Sequence, residues 1–365
     1  MSHCCPRPNG LAGRALSVVN CPLLIGSYKV QKYVMDCSAV LRWLGNIVMF
    51  VVSMVLVILF LEWFLRFSAL QPMHPDPHVH QPVMTGGLVY EAVPNNHTRG
   101  FGRETIITNS VGFRSPEIMP EKPIIAFIGD SMTFGFGVEN EETNPAVVGK
   151  MFPDYQIANA GVNGYNLEQE VLAYEQKVVP LDPKLVILEF VINDADAKAH
   201  YNAQGVLTTE DLTPAQEEER LRRAITAPGT WHIPFKTFLH EQSALFTFIE
   251  RRTKGMWFRA KTSIFSKKWS PDMKQYYQTW FERLTKDMGS RPKLFVIWMD
   301  GWLHPETDYW VETLARKQGW LVLNLGEYFG MHYQTLGWDH HPSVAVQRQA
   351  GELMGEFVVR EGLLR

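Results

Sequence analysis

The stretch IIAFIGDSMTFGFG, residues 124–137, runs from five apolar residues into Gly-Asp-Ser and on to Gly135 and Gly137. An apolar run this short and continuous reads as a strand buried on both faces. The turn behind it is built to cradle a phosphate, to expose a serine nucleophile, or only to end a strand. The rest of the chain decides among the three.

Four more apolar runs of the same kind follow: Tyr155–Ala158, Leu185–Phe190, Leu294–Trp298 and Leu321–Leu325. Helix-like segments such as Asn166–Val178 and Thr307–Gln318 lie between them. Continuous apolar strands separated by helices predict an α/β sandwich, a parallel sheet covered on both faces. Between the third and fourth strands lies a long insertion, about residues 197–290. It opens a helix at TPAQ, with Thr213 as N-cap, Pro214 in the first turn and Gln216 completing a capping box. A second amphipathic stretch, FKTFLHEQSALFTFIERR (residues 235–252), follows. The insertion is expected to form a helical cap over one edge of the sheet.

The N-terminal part is different. From Trp43 to Leu61 there is no charged residue, and the apolar character continues through Trp63, Phe64 and Leu65. That length matches a hydrocarbon core of ~30 Å, which predicts a transmembrane signal anchor over residues 43–66. Arg7, Arg14, Lys29, Lys32 and Arg42 precede it against one acid, Asp36, whereas Arg66 and Glu62 stand at its other end. The positive-inside rule then leaves residues 1–42 in the cytoplasm and exports the rest. Cys4, Cys5, Cys21 and Cys37 all precede the span, so the exported part has neither a cysteine nucleophile nor a thiolate metal site. Met35 opens a compact leader and is a second candidate start. Residues 67–104 read as a stalk before a domain at 105–365. Within the stalk, His74, Asp76, His78 and His80 lie in a Pro-rich stretch, read as a linker rather than a metal site. No metal or cofactor is expected. A net charge of −3 and the lack of a basic stripe exclude a nucleic-acid binder.

In an open parallel sheet, ligands sit at the carboxyl ends of the strands. The first strand delivers Gly129-Asp130-Ser131, the second NAGVNGYN (159–166), the third Asn193 and Asp194, and the last long loop WDHHPS (338–343). A phosphate loop needs a lysine after its glycines, and a dinucleotide fingerprint needs an acid ending the second strand. This chain has Asn159 there and no such lysine. A serine nucleophile needs an oriented base and donors for the oxyanion. His341 fits the base and Asp339 its orienting acid, while the backbone N–H groups of Ser131 and Gly164 and the Asn193 amide fit the donors. Gly164 also fits a plain turn glycine, and Asn193-Asp194 a helix cap. Asp130 reads as a partner of the turn, and His304 as a loop histidine.

The segments GDSMTFGFGV, NAGVNGYN, FVIND and DHHPS resemble the four blocks of the SGNH (GDSL-type) hydrolase superfamily. TNSVGFRS (108–115), placed after an anchor, resembles a membrane-anchored bacterial branch of it. The resemblance covers about residues 105–195 and 293–358. It implies a three-layer sandwich around a five-stranded, mostly parallel, flavodoxin-like sheet. It also implies Ser131 as nucleophile, His341 as base, and Gly164 and Asn193 completing the oxyanion hole. Three positions depart from the pattern: Trp338 stands where many members carry the acid, Ser343 replaces an Asn, and Val346 a Gly. His341 is preferred to His340 because it directly precedes the proline.

The expected activity is that of an extracytoplasmic serine esterase in a bacterial inner membrane, acting on acyl esters, O-acetyl esters or O-acylated glycans among them. One alternative is an O-acyltransferase modifying an exopolysaccharide or cell-wall glycan, which would need a membrane partner to donate acyl groups. The other is a non-catalytic scaffold.

Overall fold

The computed structural model describes residues 37–68, 78–83, 86–196, 198, 200–201, 207–208, 239, 242–249, 268–298, 305–329, 333–336, 339 and 341–364. The chain divides into two units, Met1–Phe60 and Leu61–Arg365. Most of helix α1 (Cys37–Phe67) belongs to the first. Its large apolar side chains, Trp43, Phe50 and Phe60 among them, are exposed to the surroundings and not packed in a core. The 28 residues Val40–Phe67 form the one helix, among those described, long and apolar enough to cross a bilayer.

The second unit is built on a five-stranded sheet. Its strands are β1 (Ile124–Ile128), β2 (Gln156–Asn159), β3 (Leu185–Phe190), β4 (Lys293–Ile297) and β5 (Leu321–Asn324). Each lies within one residue of its expected ends. They pair in the order β5-β4-β3-β1-β2, all parallel. The helices are α2 (Ser131–Phe134), α3 (Asn144–Met151), α4 (Leu167–Ala173), α5 (Pro271–Met288), α6 (Pro305–Lys317), α7 (Gly326–Phe329) and α8 (Val344–Arg360).

Because side chains alternate along a strand, each apolar run feeds two cores. Ile125, Phe127, Leu185, Ile187, Leu294 and Val296 pack with Val148 of α3 and with Val346, Ala350 and Met354 of α8. Ala126, Ile128, Val186, Leu188, Phe190 and Phe295 face the other way, onto Leu167 and Val171 of α4, Tyr277 and Phe281 of α5, and Val311 of α6. Each such Val, Leu, Ile, Phe or Met side chain contributes about 1.5–3 kcal/mol when fully buried, so the two-sided strands dominate the stability of this unit.

Two expectations are corrected. The C-terminal part of the 197–290 insertion is α5, and it is a sheet-covering helix, not part of a cap. Its Tyr277, Phe281, Leu284 and Met288 recur at helical spacing and are buried, which makes it the crossover before β4. The helix start at Thr213–Gln216 and most of 235–252 lie outside the described residues. The stretch read as a stalk also packs on the domain. His80–Pro82 pairs with Tyr90–Ala92, and His97–Arg99 with Thr105–Ile107. Val79, Leu88, Tyr90 and Ala92 are buried there. Strands of three residues carry too few alternations to show a period. His74 and Asp76 lie outside the described residues. No group of acids, histidines or cysteines able to hold a metal occurs among the described residues.

The sheet order fixes where a ligand sits. The chain leaves β1 for β2 on one side and returns to β3 on the other, so a crevice opens beyond the carboxyl ends of β1 and β3. Ser131 follows the first of these and Asn193 the second.

Candidate active site

Directly after β1 the chain turns at Gly129 and enters α2. Asp130 is the N-cap, its carboxylate accepting from the Met132 backbone N–H at 2.9 Å. Capping places Ser131 at the first position of the helix. There its own N–H is one of the donors a helix start leaves unpaired, and it meets no protein acceptor among the described residues. The helix ends after one turn at Gly135, whose φ of 80° is left-handed. A Cβ there would fall 2.3 Å from Thr143 Cγ2.

His341 comes from the loop before α8. That loop is tied down by the Leu336 N–H donating to the His341 carbonyl at 2.9 Å and the Ser343 N–H donating to the Gln334 carbonyl at 2.9 Å. Ser343 then N-caps α8. The imidazole Nε2 lies 2.7 Å from Ser131 Oγ. Its Nδ1 lies 2.5 Å from Asp339 Oδ1, and the same oxygen accepts the His341 backbone N–H at 3.0 Å. An acid only two residues before its histidine therefore reaches the ring because the turn folds back on itself. The Phe136 ring lies against the imidazole, with centroids 4.3 Å apart. His340, Trp338 and His304 lie outside the described residues.

Asn193 follows β3 in a turn, not at the start of a helix. The Asp194 carboxylate caps that turn by accepting from the Val191 N–H at 3.2 Å. The Asn193 amide donates to Asp130 Oδ2 at 3.2 Å and to the Tyr165 carbonyl at 3.4 Å. Ser131 Oγ also lies 3.3 Å from the same Asp130 oxygen. Burial raises the Asp130 carboxyl, although the Met132 N–H, the nearby His341 and the Asn193 amide favour its ionised form. Asp130 is thus the partner of the turn, as read from sequence, and it also holds Ser131 and Asn193 together. Gly164 lies in the turn after β2 with φ +76°, one residue before the carbonyl that holds Asn193. Its N–H meets no protein acceptor among the described residues. The Tyr90 hydroxyl fixes the turn by donating to the Asn163 carbonyl at 2.9 Å.

Sequence reading missed three supporting residues. Arg114 is buried and donates to the carbonyls of Phe134 at 3.0 Å, Gly135 at 2.5 Å and Val138 at 2.6 Å. It thereby fixes the loop that carries Phe136. Burial lowers its pKa to about 10, and the only signal for it was its place in TNSVGFRS. Glu189 sits inside the apolar run LVILEF, fully buried. It accepts from the Trp298 indole at 2.5 Å and the Asn144 amide at 3.2 Å, and burial pushes it up to about 8. A lone acid in a central strand was its signal. Phe136 had none beyond the glycines that flank it.

The model of the GDSL-like lipase/acylhydrolase family matches residues 127–349. No curated protein sequence matches the chain. Among solved structures the chain is similar to a G-D-S-L family protein from Desulfitobacterium hafniense DCB-2, at 15% identity and a TM-score of 0.38 over 64% of this chain and 99% of that one. It is also similar to a lipase/acylhydrolase from Enterococcus faecalis, at 14% identity and a TM-score of 0.36 over 66% and 95% of the two chains. A third is the acetyl xylan esterase AlAXEase, at 15% identity and a TM-score of 0.36 over 64% and 99%. With the family model spanning the sheet from β1 to α8, the chain belongs to the GDSL-like lipase/acylhydrolase family and is a carboxylic-ester hydrolase.

Proposed function

We propose that the protein is a membrane-anchored serine esterase, with its catalytic domain outside the cytoplasm, that cleaves acyl esters through Ser131, His341 and Asp339. The observation that carries this reading is the continuous line from Ser131 Oγ to His341 Nε2 (2.7 Å) and from Nδ1 to Asp339 (2.5 Å). Ser131 Oγ attacks the ester carbonyl carbon while its proton passes to Nε2. The negative charge on the former carbonyl oxygen is met by the N–H groups of Ser131 and Gly164, and by the Asn193 amide as one of its N–H bonds leaves the Asp130 or Tyr165 oxygen. The imidazolium, held by Asp339, returns the proton to the departing alcohol oxygen as the C–O bond breaks. Water then gives its proton to His341, attacks the acyl-enzyme, and releases the acid. The anchor would be α1, oriented by the cationic flank that precedes it.

The test is ester turnover by the detergent-solubilised full chain, with product mass recorded. Release of free acid that falls by at least about three orders of magnitude in Ser131→Ala is expected. Transfer of the acyl group to an added glycan instead of water would favour the acyltransferase reading. Unchanged turnover in the variant would refute the mechanism.

A further inference from the structure

Four carboxyl groups are buried together beside Ser131. Asp130 follows β1, Glu189 lies in β3, Asp194 follows β3 and Glu170 lies in α4, and none is more than 3% exposed. Asp130 and Glu189 have the donors described above. Glu170 and Asp194 are poorer. Among the described residues neither Glu170 oxygen has a hydrogen-bond partner, and Asp194 has one on Oδ2 only, the Val191 N–H at 3.2 Å. The hydroxyl of Tyr277, a fully buried residue of α5, faces the same two carboxyls and is also unpaired among them.

An ionised carboxylate in an apolar interior is costly unless it is paired. The groups that face this pair are Asp130, Glu189, Asp196 and Tyr277, and none of them brings a positive charge. Burial holds Glu170 well above the usual carboxylate range, and Asp130 and Glu189 add to it. Burial does the same to Asp194, with the Glu170 charge next. Two like groups in one dry site resist ionising together, so the pair keeps a proton.

The pair sits where α4 meets the turn that carries Asn193. The Asp194 carboxylate caps that turn, and the Asp194 carbonyl accepts from the N–H of Leu167, the first residue of α4, at 3.0 Å. Glu170 lies three residues on, which puts it on the same helix face as Leu167. The turn is also tied by the Asn166 amide donating to the Asp196 carbonyl at 2.8 Å and by the Trp269 indole donating to the Ile192 carbonyl at 3.3 Å. Charge on both carboxyls would push α4 and the turn apart one residue from Asn193.

We propose that Glu170 and Asp194 are positioning residues for the reaction, and that the Asn193 amide reaches the oxyanion only while the two carboxyls hold a proton between them. This rests on the serine-esterase reading. As pH rises the proton passes to solvent hydroxide, and the two charges repel in a medium that screens them weakly. The turn then shifts and withdraws Asn193, while the Ser131 N–H keeps its place at the start of α2. The site loses one oxyanion donor and keeps its nucleophile.

The test is the pH profile of ester turnover by the detergent-solubilised full chain between about pH 6 and 10, with the Ser131→Ala rate subtracted at each pH. On the alkaline side kcat is expected to fall about a hundredfold from its maximum, as for loss of one oxyanion donor, with KM little changed. The fall should reverse on return to neutral pH; an irreversible loss would overturn the proposal. Glu170→Gln and Asp194→Asn keep the shape of the protonated acids and have no proton to lose. Scaled to its own maximum, each is expected to shrink the fall to less than about threefold. Glu189→Gln, which changes a neighbouring acid outside the turn, is expected to keep it. No alkaline fall in the unaltered chain would overturn the proposal, as would a fall that survives both variants or that Glu189→Gln removes equally. If neither variant folds, the unaltered chain decides: a loss carried by kcat supports the proposal and a loss carried by KM overturns it. No Ser131-dependent turnover at any pH would overturn the esterase reading and the proposal with it.

Discussion

Asp339 engages His341 twice, through the ring Nδ1 and through the backbone N–H, so it fixes both the tautomer and the turn. Asp339→Asn keeps the shape but favours the wrong tautomer. It is expected to lower kcat by about three to four orders of magnitude with KM little changed, measured by steady-state ester turnover. Glu189 gives a pH signature. Its folded pKa, about 8, lies above its unfolded value, so folding takes up a proton between the two. Its contribution to stability is full below the unfolded pKa of about 4.3 and is lost as pH rises through about 8. Melting of the detergent-solubilised chain between pH 5 and 9 should show a decline that Glu189→Gln largely removes; parallel curves would refute this. At this scale the sequence was informative where chemistry is written in residue type. Ser131, Gly164, Asn193 and His341 could be proposed because few residue types suit those tasks. The distance from Asp339 to the ring could not be read, because it depends on a two-residue turn closing on itself.

The elements that matter most are the loops at the carboxyl ends of the strands. Arg114 satisfies three buried carbonyls of the loop Phe134–Val138 with one planar fork. Arg114→Lys cannot reproduce that fork and Arg114→Ala leaves the carbonyls unpaired. The alanine variant is expected to lose about 3 kcal/mol or more of stability, read from thermal melting, and the lysine variant to recover only part of it. Gly164→Ala tests the turn after β2. With φ at +76°, alanine should cost about 1 kcal/mol and, with the Gly164 N–H in the proposed oxyanion role, lower kcat more than it raises KM. The five strands were legible because each is a continuous apolar run between turn residues. The helix α5 was misjudged because its apolar stripe, Tyr277 to Met288, looks the same whether it covers a cap or a sheet. The hairpins at residues 80–92 and 97–107 were missed because three-residue strands carry no period.

For the whole molecule, those hairpins set the boundary of the folded unit. Val79, Leu88 and Tyr90 are buried, and Tyr90 braces the Gly164 turn. A chain beginning at residue 78 is therefore expected to melt at least several degrees above one beginning at 105; equal midpoints would contradict this. The apolar stretch before them was legible as one helix long and apolar enough to cross a bilayer, since it runs without charge for about five turns. What composition did not show is that its last residues carry bonds to the loop beside His341. All of this depends on Ser131 being the residue that takes the acyl group. The direct measurement is peptide mapping by mass after the full chain reacts with a fluorophosphonate, which traps an activated serine. The account predicts one adduct, on the peptide holding Ser131, formed far more slowly in His341→Ala. An adduct on another residue, or none while ester turnover continues, would contradict it.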